Sequence, residues 1–513
     1  VSAPAAPALP PLTGAPLRIA SIALALGTFM QVLDGTIANV SLPTISGNLG
    51  VSNDSGTWVI TSFAVANGVT VPLTGWLMAR FGVVRTFTAS VLAFTVASLL
   101  CGLAWSLNSL IMFRILQGAV SGPMIPGSQA LLISIFPENK RGTALGIWAI
   151  TTLAAPVLGP VLGGYISDNY YWGWIFLINV PFGVIAGYAT WRHLAARETP
   201  TRKLPIDTVG LVLLAFWVFS LQTVLDLGKD RDWFNNPMIV TLSVCALVAF
   251  IGWVIWELTD ANPVVDLSAF KSRNFTFGTI ALCLGYALLF GNNLLLPLWL
   301  QEYLGYNATW AGLVAAPAGV VAVAITPLAG RIKFDPRITA TLSFVVFGAS
   351  YLMRSLYTPD ASFFVLAAPL LLQGLAMCFF FVPLLTISLD GISPERLPSA
   401  SGVSNFARIT AGSFAASLIT TFWDRRESLH QERLTEFATA SAPAYQGALT
   451  QLHAQGLTAQ QAAGAIYTQV IGQSYLLSSV ELFWLCGWMS LTTVALVWFA
   501  RRPAPSDHVI AVE

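Results

Sequence analysis

The sequence predicts an all-α polytopic membrane protein of fourteen spanning helices, built as two related, parallel six-helix halves with two inserted helices between them. Three observations lead there: a shortage of charge, a succession of apolar runs of spanning length, and an internal repeat. Of 513 residues only 10% are charged, while 55% are hydrophobic, and mean hydropathy is +0.70. A soluble domain carries about 25% charged residues, so a soluble enzyme, a disordered chain and a coiled coil are all excluded. A net charge of +1 without a long basic run gives no reason to expect a nucleic-acid partner. The 31 Phe, 17 Trp and 12 Tyr suit many helix ends at lipid interfaces. Cys101, Cys245, Cys283, Cys378 and Cys486 all lie in apolar stretches with no Cys-x-x-Cys pair, and read as small buried hydrophobes rather than metal ligands.

In order along the chain, residues 1–18 are Pro- and Ala-rich with Arg18 as their one charge. A signal peptide needs an early basic region, so a tail and a retained first helix are expected. A span needs about 20 mainly apolar residues. Such runs fall at 19–42, 57–79, 87–106, 109–135, 143–166, 173–194, 208–226, 237–257, 274–300, 309–331, 338–357, 362–388, 400–423 and 478–499. The polar segment 424–477 interrupts them and is expected to be a long outer loop, although Arg425 to Phe437 has helical spacing of its apolar residues. The expected organisation is a tail 1–18, a first half 19–194, an inserted pair with linkers 195–273, a second half 274–500 and a tail 501–513.

With the N-terminus placed in the cytoplasm, 17 of the 25 Lys and Arg residues fall on the cytoplasmic side and 6 on the other, Arg354 among the 6. Arg114 and Arg408 fall inside spans. That bias supports two cytoplasmic termini, a multi-pass inner-membrane location and an outward-facing 424–477.

The repeat is in register. Thr57-Trp58 matches Thr309-Trp310, Pro72 to Gly75 matches Pro327 to Gly330, Gln117-Gly118 matches Gln373-Gly374, and Pro137-Glu138 matches Pro394-Glu395, at offsets of 252, 255, 256 and 257 residues. Two inserted spans preserve orientation, so the halves lie parallel about an axis along the membrane normal. That is a transporter architecture, with its site between the halves near the midplane.

Charge inside the membrane narrows the search for chemistry, because a carboxylate or Arg at a helix centre costs about 2.5–3.5 kcal/mol on insertion scales. Asp34, one turn after Gln31 in the first run, is a candidate proton carrier. Arg114 cannot realistically lose its proton, so its expected role is to bias a nearby carboxylate. Arg408, one turn after Asn405, reads as a structural contact. In the fifth run, Pro156, Gly159, Pro160, Gly163 and Gly164 combine small residues four apart with helix-bending prolines, as a gate requires. Gly75, Arg80, Gly82 and Arg85 form a tight basic loop. Tyr286, Phe290, Asn293, Phe379, Phe380 and Asn405 are candidate substrate contacts, with Gln31 and Asp34, for an amphipathic cavity.

Together these motifs resemble the major facilitator superfamily, in particular its fourteen-spanning drug:proton antiporters. Leu33 to Pro43 looks like that branch's first-helix signature, Gly75 to Arg85 the superfamily loop motif, Arg114 to Gly118 its fourth-helix motif, and Gly159 to Gly164 its antiporter motif. Thr57 to Phe63, Pro72 to Trp76 and Trp423 to Ser428 look closest to EmrB-type exporters. The resemblance implies the major facilitator fold and proton-driven export of hydrophobic, chemically varied compounds, with no cofactor beyond the proton gradient. It also implies a periplasmic EmrA-type adaptor and a TolC-like outer-membrane channel as partners, and proton coupling through Asp34 and Arg114. The loop motif departs from the family pattern at Ala79, where an acid is usual.

Two other functions stand beside export. A primary pump needs Gly-x4-Gly-Lys-Ser/Thr; the only Gly-Lys is Gly228-Lys229, followed by Asp230 and preceded by Thr223 at the first Gly position. A proton-coupled transporter of one metabolite or a fatty-acid-like compound, working without an adaptor, is compatible with composition; the antiporter-like fifth run argues for export.

Overall fold

The computed structural model describes residues 11–503 except 52–55, 57, 138–139, 203–204, 206, 230, 261–262, 264, 307, 330–333, 394–395 and 440. Among the described residues every regular element is helical. The helices of the first half are α1 (Gly14–Leu49), α2 (Trp58–Thr70), α3 (Thr74–Phe81), α4 (Val83–Gly102), α5 (Leu107–Ser121), α6 (Met124–Ile135), α7 (Arg141–Asn169), α8 (Trp174–Leu177) and α9 (Asn179–Leu194). The inserted pair is α10 (Thr208–Leu227) and α11 (Pro237–Thr259). The second half holds α12 (Arg273–Glu302), α13 (Ala308–Ala329), α14 (Pro336–Arg354), α15 (Phe363–Cys378), α16 (Phe381–Ser388), α17 (Leu397–Phe437), α18 (Pro443–Ala454) and α19 (Ala459–Phe499).

Each of the fourteen apolar runs falls on one of these helices or on a broken pair. Among the described residues nine helices are long and apolar enough to cross a membrane, and α2 with α3, bent by 57°, makes a tenth. The breaks have local causes. Pro72 lies between α2 and α3 and Pro123 between α5 and α6, and proline cannot donate the ladder hydrogen bond. Polar N-caps fix several helix starts: Ser106 with Ser109 at α5, Asn236 at α11 and Thr458 with Gln461 at α19.

The repeat has a structural counterpart. A Cβ added at Gly118 would fall 2.5 Å from Phe63 O and 2.9 Å from Ala66 Cβ; at Gly374 it would fall 3.0 Å from Ala318 Cα and 2.8 Å from Val321 Cβ. In both halves, then, a glycine after a glutamine lets two helices meet backbone to backbone.

The two halves meet along two seams. On one, α7 lies against α13, with Gly312 facing Val161 and Gly146 facing Thr326. On the other, α10 stands between α2 and α17: Trp217 packs edge-on to Phe406 at 5.6 Å, Thr61 Oγ1 donates to Asp226 Oδ2 at 2.6 Å, and Ser417 Oγ donates to Leu225 O at 2.7 Å. We call the end of the bundle where α1 starts and α19 finishes the terminal face, and the opposite end the loop face. At the terminal end of this seam α3 and α17 touch directly, since a Cβ on Gly75 would lie 2.8 Å from Ser399 Cα.

Two expectations need correction. Residues 424–477 are not a loop: α17 continues unbroken to Phe437, α18 follows, and α19 starts at Ala459. Ion pairs and rings hold the base of this hairpin. Arg426 forks onto Glu481 at 2.6 and 2.7 Å, Lys229 meets Asp424 at 2.8 Å, and Tyr475 stacks on Tyr303 at 3.9 Å. At this base Asp424, Arg426 and His430 pair with residues outside their own helix. Arg354, counted with the basic residues of the outer side at the end of the run 338–357, is the last residue of α14 and fully buried. It donates to Gln373 Oε1 and lies over the rings of Tyr351 and Phe483.

Candidate functional site

The capping box at Ser106 sets the start of α5, and helical spacing then turns Arg114, Gln117, Gly118 and Ser121 inward on one face. Gly118 lets α5 approach α2 closely, which brings Arg114 to the carbonyl of Val59, 3.0 Å from its Nε. Asp34 arrives from α1, Ser98 from α4 and Asn179 from the first position of α9.

These residues form one buried cluster. Arg114 Nη1 lies 2.5 Å from Asp34 Oδ2 and donates also to Gln117 Oε1 at 2.7 Å. Gln117 Nε2 donates to Asp34 Oδ1 at 2.9 Å and to Ser98 Oγ at 2.7 Å, and Asn179 Nδ2 donates to Asp34 Oδ1 at 3.2 Å. Asp34 is 0% and Arg114 1% exposed. The guanidinium also lies 4.2 Å from the ring centre of Phe63. Three side chains donate to the carboxylate, and the guanidinium beside it balances its charge. The carboxylate therefore joins α1 to α5 and α9, and its charge is the counter-charge of Arg114. By helical rise the cluster lies about 10 Å from the start of α5, in the loop-face part of the bundle.

Helix α7 runs unbroken through Pro156 and Pro160; the Pro160 side chain lies outside the described residues. Its small residues seat it on α1 beside Asp34. A Cβ on Gly159 would fall 2.8 Å from Thr36 Cβ, and one on Gly163 would fall 2.9 Å from Ile37 O. Gly164 has nothing within 4 Å, so it is not part of this seam. Gly163→Val is expected to destabilise the protein by about 1–3 kcal/mol through overpacking. Gly164→Ala should stay within about 0.5 kcal/mol. Melting of the two purified variants checks the contrast, and equal losses would refute the seam.

At the basic loop, Gly82 joins α3 to α4 with φ +93°, the left-handed region open to glycine. Glu198, from the linker after α9, accepts from Val84 N at 3.0 Å and Arg85 N at 2.8 Å, capping α4 with a carboxylate. Ala79 O accepts from Arg202 N at 2.8 Å, so the linker lies across the loop. Arg80 stands over Trp76 and Phe81. An acid is thus present at this loop although position 79 lacks one.

The candidate substrate contacts divide. Tyr286 stacks on Phe290 at 5.8 Å and faces the Arg408 guanidinium at 4.5 Å. Asn405 Nδ2 donates to Gln129 Oε1 of the other half at 3.1 Å, and Asn405 Oδ1 accepts from Arg408 Nη2 at 2.9 Å. Gln31 is buried and its Oε1 has no hydrogen-bond partner. Asn293 accepts from Gln373 at 3.0 Å within the second half. Phe379 and Phe380 fall at the α15–α16 break. Phe380 packs on Phe344 and Phe347 in the core of the second half. It is Phe381 that reaches the first half, edge-on to Trp148 at 5.9 Å. Sequence reading missed Ser98, Asn179, Glu198, Asp226, Gln129, Trp148 and Phe381. Only the offset of 256 residues from Ser98 to Arg354, equal to that from Gln117 to Gln373, could have pointed to Arg354 as buried.

Two six-helix halves joined at two seams, with an ion pair buried inside one of them, define a multi-pass membrane transporter and not an enzyme. The chain belongs to the Major Facilitator Superfamily, whose family model matches residues 24–416. It is 51% identical over 496 residues to the "Multidrug export protein EmrB" of Escherichia coli (strain K12), covering 96% of this chain and 97% of that one. It is 45% identical over 496 residues to the "Fatty acid resistance protein FarB" of Neisseria gonorrhoeae, covering 96% and 98%. The crystal structure of the human organic anion transporter MFSD10 (TETRAN) shares the fold, with a TM-score of 0.59 at 12% identity over 94% of this chain and 100% of that one.

Proposed function

We propose that this protein is a proton-driven antiporter that exports hydrophobic toxic compounds across the bacterial inner membrane. The observation that carries the reading is the Asp34 carboxylate, fully buried and held by Arg114, Gln117 and Asn179. It is a protonatable group whose charge state is tied to the packing of three helices. With fourteen spans and both ends in the cytoplasm, the loop face is periplasmic, and Asp34 lies in the outer part of the membrane, where protons enter. Each proton moving inward down a 100 mV potential releases about 2.3 kcal/mol. Names of relatives support the cargo: multidrug export in one, fatty acid resistance in another.

The helical hairpin 424–477 is the feature on which a periplasmic adaptor would dock, and through it an outer-membrane channel. The test is transport in two settings. Everted vesicles acidified by respiration should lose part of their gradient when a hydrophobic drug is added, and the deletion strain should be drug-sensitive. Replacing 438–458 with a short turn should preserve vesicle transport and abolish whole-cell resistance. Drug uptake into vesicles with no movement of protons would refute the antiport reading.

A further inference from the structure

Arg408 carries an inference of its own. It lies on α17, about 16 Å in from the terminal-face end of that helix by helical rise, and is 2% exposed. Nη2 donates to Asn405 at 2.9 Å, while Nε and Nη1 have no hydrogen-bond partner. Among the described residues no carboxylate lies within ion-pair distance of it. Arginine cannot escape the cost of burial by losing its proton, and a buried, unsatisfied charged donor is among the most costly groups a protein can keep. The same holds across the membrane interior. Arg114, Arg354 and Arg408 are all buried, and only Arg114 has a carboxylate, Asp34, against it. The second half therefore keeps two guanidinium groups without a counter-charge, and Arg408 is the one that borders the other half.

Its surroundings suit a ligand. Three rings face the guanidinium: Tyr286 at 4.5 Å, Phe381 at 5.5 Å and Trp148 at 5.8 Å. Trp148 belongs to α7 of the first half, the other two to the second, and the Asn405–Gln129 bond also crosses between halves. An opening between the halves at the terminal face would part the Trp148 contact and the Asn405–Gln129 bond, leaving the cation beside Tyr286 and Phe381.

We propose that Arg408 is the charge partner of the substrate, and that the preferred substrates are aromatic or aliphatic amphiphiles bearing one negative charge. The head accepts hydrogen bonds from Nε and Nη1 and the apolar body lies among Tyr286, Phe381 and Trp148. Built on the export reading above, this names the charge class of the cargo and the residue that selects it. The ion pair at Asp34 is neutral as it stands and makes no such demand.

Three matched compounds test it in proteoliposomes of the full-length protein under an imposed pH gradient: 1-naphthoate, 1-naphthamide and 1-naphthylmethylammonium. Wild-type protein should transport the carboxylate with a kcat/KM at least about tenfold above the ammonium compound, the scale of a charged hydrogen bond. Arg408→Gln should lose about tenfold or more on naphthoate and little on naphthamide. Arg408→Lys, which keeps the charge without the fork, should recover part of the loss and raise the KM for naphthoate more than it lowers kcat. Wild-type protein that prefers the amide or the ammonium, or Arg408→Gln that loses all three alike, overturns the inference and leaves proton-driven export standing. Should Arg408→Gln fail to reach the membrane, an unchanged naphthoate KM in Arg408→Lys overturns it equally. Wild-type protein that moves none of the three and couples no drug to protons overturns both readings.

Discussion

Asp34→Asn is expected to abolish substrate-driven proton movement while leaving the protein folded in the membrane. Asparagine has the shape of aspartate, and its side-chain oxygen can still accept from Gln117 and Asn179, the two neutral donors on Asp34. Arg114 keeps the Val59 carbonyl, Gln117 Oε1 and the Phe63 ring. What disappears is the carboxylate, the group among these residues that can take up and give back a proton. Reconstituted Asp34→Asn should release no protons when drug is added, yet still exchange labelled drug across a membrane without a gradient. Proton release at the wild-type rate would remove Asp34 from the coupling step.

The opposite half of the pair behaves differently. Arg114→Met removes the cation and leaves a buried carboxylate facing only amides, and breaking a buried pair from one side costs about 3–5 kcal/mol. Much of this variant should fail to accumulate, and what is purified should melt well below wild type. The double variant Asp34→Asn, Arg114→Met should recover most of that loss, because neither position then holds a buried charge without its partner. A double-mutant cycle on melting measures the coupling, expected to exceed about 1 kcal/mol. Additive losses would mean that the two groups contribute independently and that protonation of one is not felt by the other.

The sequence displayed much of this design because membrane helices are written in a two-letter contrast. Charges stand out within apolar runs, so Asp34 and Arg114 were visible at once. Their neutral partners were not. Ser98 and Asn179 are ordinary polar residues far along the chain from those they meet, and only packing brings Asn179 to Asp34 and Ser98 to Gln117. Position near the end of a run hid Arg354, which was counted with the outer-side charges yet turns inward between Gln373 and two rings. Polarity misled in the other direction at 424–477, where helices that extend beyond the apolar runs have the composition of a loop. A break between α15 and α16 resets which residue faces the neighbouring half, so that Phe381 meets Trp148 while Phe380 packs on Phe344 and Phe347.

The length of the two helices that carry the hairpin 424–477 has a mechanical consequence. α17 and α19 each run 41 residues without interruption, about 60 Å at 1.5 Å per residue. A rigid rod that enters the bilayer at one end and stands clear of it at the other is a lever. A tilt of the second half by a few degrees, small where Arg408 meets Trp148, becomes a sideways stroke of several ångströms at the tip. Whatever rests on that tip receives a displacement in step with each transport cycle, and the tip returns any restraint on it to the helices in the membrane.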